Sequence, residues 1–219
     1  MICGEKDMIK VSVSSLIYKE EILENLKEII DSKCDFLHLD IMDGSLTEDK
    51  TFNYETIKKI DAKTTLLLDC HLMVNEPSKI IQSYFDANTN ILTVHYEAFK
   101  DKKELIKTLK LIRENHRISG LSIMPNTKIE EIEFLKDYFD LLLIMSVEIG
   151  KYGQQFIEST FDKIKLARQK FPNTLIEVDG GVNLDNVSKL KKLGVDIIVV
   201  GGAFKRSENK RELITKLKE

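Results

Sequence analysis

The 219 residues carry 33 Lys and Arg against 36 Asp and Glu, a net charge of −3, and 42% are hydrophobic. This suits one globular domain with a sizeable core, and neither the charge balance nor any basic cluster points to nucleic acid. No apolar run approaches the ~20 residues that span a bilayer, and the first ten residues lack the apolar centre of a secretion signal. Three unpatterned cysteines, Cys3, Cys34 and Cys70, argue against a disulfide framework and for a reducing cytoplasm.

Strand-like and helix-like segments alternate along the chain. Ile9–Val13 reads as a strand and Glu21–Ile30 as an amphipathic helix; Phe36–Ile41, Thr65–Asp69 and Ile91–His95 are the next strands. Lys102–Glu114 is helical, Ile118–Ile123 and Leu141–Ser146 are strands, and Phe161–Lys170 is helical. Leu175–Asp179, the helical Asn183–Leu193 and Ile197–Val200 complete the series. Runs such as L-L-L-I-M and I-I-V-V are apolar on both faces, as in a parallel sheet covered by helices. There is no G-x-G-x-x-G after the first strand, which argues against an open doubly wound sheet. Eight strands in a chain somewhat shorter than the ~250 residues typical of the fold predict an α/β protein, a (β/α)8 TIM barrel forming one domain over residues 1–219.

In such a barrel the chemistry lies at the C-terminal ends of the strands. His38 and Asp40 in F-L-H-L-D-I-M-D-G share a strand face, and His71 in D-C-H-L-M-V and Asp179 in V-D-G-G sit at equivalent positions. A lone histidine there is most often a hydrogen-bonded rim residue. Two histidines and two aspartates converging are different, because buried carboxylates need compensation and a divalent cation supplies it. Mixed imidazole and carboxylate donors suit zinc, iron, manganese or cobalt. His95 also falls at a strand end, whereas His116 follows a helix and reads as a surface or helix-terminus residue. Gly150, Gly153, Gly180, Gly181, Gly201 and Gly202 follow the last three strands, where backbone N–H groups of this fold bind phosphate; plain turns are the alternative.

The blocks S-S-L, H-L-D-I-M-D-G, D-C-H-L-M-V, T-V-H-Y-E-A and V-D-G-G-V, in this order, resemble the ribulose-phosphate 3-epimerase family over essentially the whole chain. The resemblance implies an isomerase that inverts carbon 3 of a ketose phosphate, D-ribulose 5-phosphate to D-xylulose 5-phosphate in the pentose phosphate pathway. It further implies one divalent metal on His38, Asp40, His71 and Asp179. Asp40 and Asp179 would be the two acid/base groups, Asp40 accepting and Asp179 donating. Ser14 would contact substrate under a thioether cap of Met42, Met73 and Met145, and the protein would be a homo-oligomer, dimer or hexamer. By strand parity, Asp69 and Glu177 are either groups that orient the ligands or polar residues of the barrel interior.

The chain departs from the family pattern at Leu46–Asp49, at Met124-Pro125, at Ile149-Gly150-Lys151-Tyr152 and at Gly201-Gly202, and Lys151 and Tyr152 are read as replacing a Phe and a Gly near the phosphate. These departures keep a D-allulose-6-phosphate 3-epimerase open as an alternative. A catalytically silent sugar-phosphate-binding barrel and a lyase on a similar barrel are the readings from other classes. No lysine ends a predicted strand, as the lyase would need, and binding alone does not need paired acids.

Overall fold

In the computed structural model, which describes residues 8–150 and 153–219 (Glu20 by its backbone only), eight parallel strands pair in chain order and close into a barrel. They are β1 (Lys10–Ser14), β2 (Phe36–Met42), β3 (Leu67–Met73), β4 (Thr89–His95), β5 (Ile118–Ile123), β6 (Leu141–Met145), β7 (Leu175–Asp179) and β8 (Ile197–Val200). The helices that follow successive strands are α1 (Ile22–Asp31), α2 (Tyr54–Asp61), α3 (Ile81–Asp86), α4 (Lys102–Glu114), α5 (Ile129–Ile132), α6 (Thr160–Lys170), α7 (Val187–Lys192) and α8 (Gly202–Arg206). A last helix, α9 (Lys210–Lys218), packs beside β1 and α1. This is a single-domain TIM barrel. Among the described residues, no helix is long and apolar enough to cross a membrane.

All eight expected strands are present, and their edges move for physical reasons. β3, expected at Thr65–Asp69, runs instead to Met73, because its register with β2 continues through Asp40 opposite His71 and Met42 opposite Met73. The polar His71 interrupts the apolar run but not the ladder. The helix expected from Asn183 starts at Val187. Asn183 and Asn186 occupy the preceding turn, where Asn186 Oδ1 accepts the Asn183 N–H at 2.9 Å and Asn183 Oδ1 accepts the Asp185 N–H at 2.8 Å. α4 has the expected bounds: Asp101 caps it by accepting the Lys103 N–H at 2.9 Å, and the exposed His116 ends the turn beyond it at φ 60°.

Strand alternation then divides the residues between two cores. Outward side chains such as Val11, Leu39, Leu72, Val94 and Val178 pack with the buried residues of the surrounding helices. Inward ones change character along the barrel axis. Phe36, Ile91, Ile118, Leu141, Leu175 and Ile197 make an apolar floor. Above it Ser12, His38, Asp69 and Glu177 are fully buried, and Ser14, Asp40, His71 and Asp179 lie at the mouth. Cys34 and Cys70 are buried free thiols, and Cys3 lies outside the described residues.

Phe204 is fully buried and anchors α8, the helix that carries Gly202 to the barrel mouth. Truncation to Phe204→Ala is expected to destabilise the fold by ~3–5 kcal/mol in urea titrations. A loss below ~1 kcal/mol would show that α8 is held by something else.

Candidate active site at the barrel mouth

His38 and Asp40 come from β2, His71 from β3 and Asp179 from β7, with β8 and β1 lying between Asp179 and the other three. One donor atom from each lies within 4.8 Å of all the others. Nε2 of His38 is 3.4 Å from Asp40 Oδ1 and 3.8 Å from Asp179 Oδ2. Nδ1 of His71 is 3.6 Å from Asp40 Oδ1 and 4.0 Å from Asp179 Oδ2. These two ring nitrogens are buried without a hydrogen-bond partner, which is costly unless something else fills their lone pairs.

The remaining ring nitrogens are both engaged. His38 Nδ1 meets Asp69 Oδ2 at 2.6 Å, and the same oxygen accepts the Ser12 hydroxyl at 2.8 Å. His71 Nε2 meets His95 Nε2 at 2.7 Å. The Ser14 hydroxyl donates to Asp40 Oδ2 at 2.8 Å, leaving Oδ1 to face the imidazoles. Two inward-facing imidazole nitrogens held from behind, beside two carboxylates, form a donor set that fits a divalent transition metal.

The groups are pushed apart in acidity. Burial opposes charge on His38, but the neighbouring Asp69 and Asp40 carboxylates outweigh it and hold the imidazole well above its ordinary value. Burial also opposes charge on Asp40; His38 overcomes it and keeps that carboxylate ionised far below its usual range. Asp179 moves the other way, to about 7, because burial dominates and the attraction of His38 is set against repulsion from Asp40 and Asp69. Burial pushes His71 down to about 4. Glu177 is raised well above its ordinary value by burial and the charge of Asp69.

Above the cluster opens a cavity of about 670 Å³. Asp40 and Asp179 line it, and so does every residue expected to touch substrate: Ser14, the methionines Met42, Met73 and Met145, and the six glycines at positions 150, 153, 180, 181, 201 and 202. Gly181 has a specific reason to be glycine. Its φ is +64°, and a Cβ there would stand 2.4 Å from the backbone nitrogen of Phe156. Met42 and Met73 pack with Leu16, against which Leu46 and Ile149 also close. Two of the divergent loops, Leu46–Asp49 and the one at Ile149-Gly150, therefore meet beside the methionines, with Thr47 next to Gly150. Lys151 and Tyr152 lie outside the described residues.

Sequence reasoning missed Arg206. Its exposed guanidinium lines the same cavity, beside Gly202 and Gly153, and has no ion-pair partner among the described residues. Its signal was available: Arg206 stands one helical turn beyond the last glycine pair. Of the two interior acids, Asp69 bonds His38 directly, whereas Glu177 lies 3.8 Å from His38 Nδ1 without bonding it.

Residues 8–205 match the model of the ribulose-phosphate 3 epimerase family. The ribulose-phosphate 3-epimerase of Aquifex aeolicus is 33% identical over 185 residues, 83% of this chain and 82% of that protein. The ribulose-phosphate 3-epimerase of Bacillus subtilis is 34% identical over 217 residues, covering 96% and 99%. Among solved structures, phosphoribosylanthranilate isomerase from Thermotoga maritima superposes with a TM-score of 0.66 at 15% identity over 96% of both chains. A thiamine phosphate pyrophosphorylase from Pyrococcus furiosus gives 0.65 at 19% identity, over 95% of this chain and 93% of that one. At those identities the structural matches speak for the barrel alone.

The displacement of Asp179 is directly measurable. In the metal-free protein its carboxyl carbon resonance is expected to titrate with a midpoint near 7, because folding raises the value from 3.8 to about 7. Its contribution to stability is then greatest below 3.8 and is lost as pH rises through about 7. A midpoint below about 5 would show that Asp179 is solvated like an ordinary carboxylate.

Proposed function

The chain belongs to the ribulose-phosphate 3-epimerase family, and from that premise we propose that it interconverts D-ribulose 5-phosphate and D-xylulose 5-phosphate by moving protons between Asp40 and Asp179. The observation that supports this most strongly is the meeting of two carboxyl groups of opposed acidity within one 4.8 Å cluster beneath the cavity.

Inversion at a carbon beside a ketone needs one group to remove the proton from one face and another to return a proton to the opposite face. Asp40 and Asp179 reach the mouth from strands separated by β8 and β1, which suits them to opposite faces. Asp40, ionised and oriented by the Ser14 hydroxyl, is the acceptor for ribulose 5-phosphate. Asp179, which holds a proton to about pH 7 in the bare site, is the donor. Opposed environments for two like groups are the usual means of dividing acid from base.

His38 Nε2, His71 Nδ1, Asp40 and Asp179 would hold one divalent cation, of the zinc, iron, manganese or cobalt class. When bound, it supplies a Lewis acid that offsets negative charge on the substrate's carbonyl and hydroxyl oxygens as the enediolate forms. The protein's own part is to shape the site around that chemistry. Leu16, Met42 and Met73, closed over by Leu46 and Ile149, shield the reacting carbon from water. Gly153, Gly181 and Gly202, which line the same cavity, let the backbone approach the phosphate, with Arg206 beside Gly202.

Asp40→Asn and Asp179→Asn are each expected to lower turnover at least a thousandfold, ~4 kcal/mol of barrier, in a coupled assay for xylulose 5-phosphate. Retention of more than about a tenth of the wild-type rate by either would exclude transfer through this pair. Arg206→Ala is expected to raise KM about tenfold with kcat within about twofold, the pattern of lost phosphate binding. An unchanged KM would place Arg206 away from the substrate.

A further inference from the structure

A line of hydrogen-bonded side chains, buried except for the partly exposed Glu97, runs from the cluster past the end of β4. His95, the last residue of β4, is fully buried with its Nε2 2.7 Å from Nε2 of His71. The ring centroids are 4.8 Å apart and the planes 25° from parallel, so the two imidazoles meet edge to edge. On the far side, His95 Nδ1 lies 3.2 Å from Oε2 of Glu97, in the short 3₁₀ turn Tyr96–Ala98. Glu97 is itself fixed, because its Oε1 accepts the Met124 N–H at 2.8 Å and the Thr127 hydroxyl.

With His95 neutral, hydrogen-bond polarity can run only one way along this line. A carboxylate accepts and does not donate, so Glu97 requires the proton of His95 on Nδ1. A neutral His95 then has an acceptor at Nε2, which requires the proton of His71 on its own Nε2. That leaves the His71 Nδ1 lone pair facing Asp40 and Asp179, and this is the nitrogen found buried without a partner. We propose that His95 and Glu97 are positioning residues that fix the tautomer of His71 and so present its Nδ1 lone pair to the barrel mouth. The consequence for cation affinity rests on the metal-binding reading above; the tautomer itself does not. The two imidazoles of the cluster are thus held differently: His38 by a direct bond to Asp69, His71 through a second imidazole to a carboxylate in the loop.

Glu97→Gln tests this with almost no change of shape. The Met124 N–H can only donate, so the amide oxygen stays on it and the amide NH2 turns to His95. His95 must then accept at Nδ1 and donate from Nε2, which moves the His71 proton to Nδ1. The chain has four histidines, so long-range 15N–1H spectra of 15N-histidine protein can resolve each ring. In metal-free protein, wild type is expected to carry the His71 proton on Nε2, Glu97→Gln on Nδ1, and His95→Gln to lose the fixed preference. Zn2+ affinity, measured by chelator competition, is expected to fall 10–100-fold in both variants. An unchanged His71 tautomer in both variants, with Zn2+ affinity within about twofold, would overturn the relay. Wild type that shows the expected tautomer and its reversal in Glu97→Gln, yet binds no Zn2+, would sustain the relay and sink the metal centre.

Discussion

Asp40, Asp69 and Glu177, buried or nearly so, and Asp179, at the edge of the cavity, crowd the upper barrel with His38 and His71. Burying this many ionisable groups is unfavourable unless charges are paired or neutralised. The structure does both. Without a cation the Asp69 and Asp40 carboxylates favour the charged form of His38, while burial drives Glu177 and Asp179 toward their neutral forms. Two like carboxyl groups at the floor of the cavity are thus pushed in opposite directions, Asp40 down by its imidazole neighbours and Asp179 up by burial.

The apolar floor makes that arrangement possible. Phe36, Ile91, Ile118, Leu141, Leu175 and Ile197 fill the lower barrel, so the polar layers are confined to the end where the loops and cavity are. Strand pairing transmits the alignment: Asp40 lies opposite His71 across β2 and β3, and Asp179 opposite Met145 across β6 and β7. A one-residue slip of either strand would turn its site residue outward into the helix layer.

Much of this was legible in the sequence because strand alternation is a strict code. The parity of His38 with Asp40, and of Met42 with Asp40, needed only a period of two, and the cavity lining follows from it. Four features were hidden. His71 breaks an apolar run, so β3 read as ending at Asp69, where in the barrel the ladder continues through the polar residue. The engagement of His95 with His71 depends on contact between neighbouring strands, which spacing within one strand does not report. Arg206 reaches the cavity from a helix, with its position set by how α8 packs through Phe204. The meeting of the loops at Leu46–Asp49 and Ile149-Gly150, with Thr47 beside Gly150, is likewise a tertiary fact that separate sequence departures do not disclose.

Transfer through two carboxyl groups on opposite faces has a consequence that one isotope measurement reads. In D2O, ribulose 5-phosphate turned over by this protein should give xylulose 5-phosphate carrying solvent deuterium at carbon 3 in essentially every product molecule, followed by NMR at early conversion. The proton returned comes from Asp179, which exchanges with solvent, and not from the substrate. Product that retains the substrate's own hydrogen at carbon 3 would mean that a single group carries the proton across, and would contradict the assignment of Asp40 and Asp179 to opposite faces.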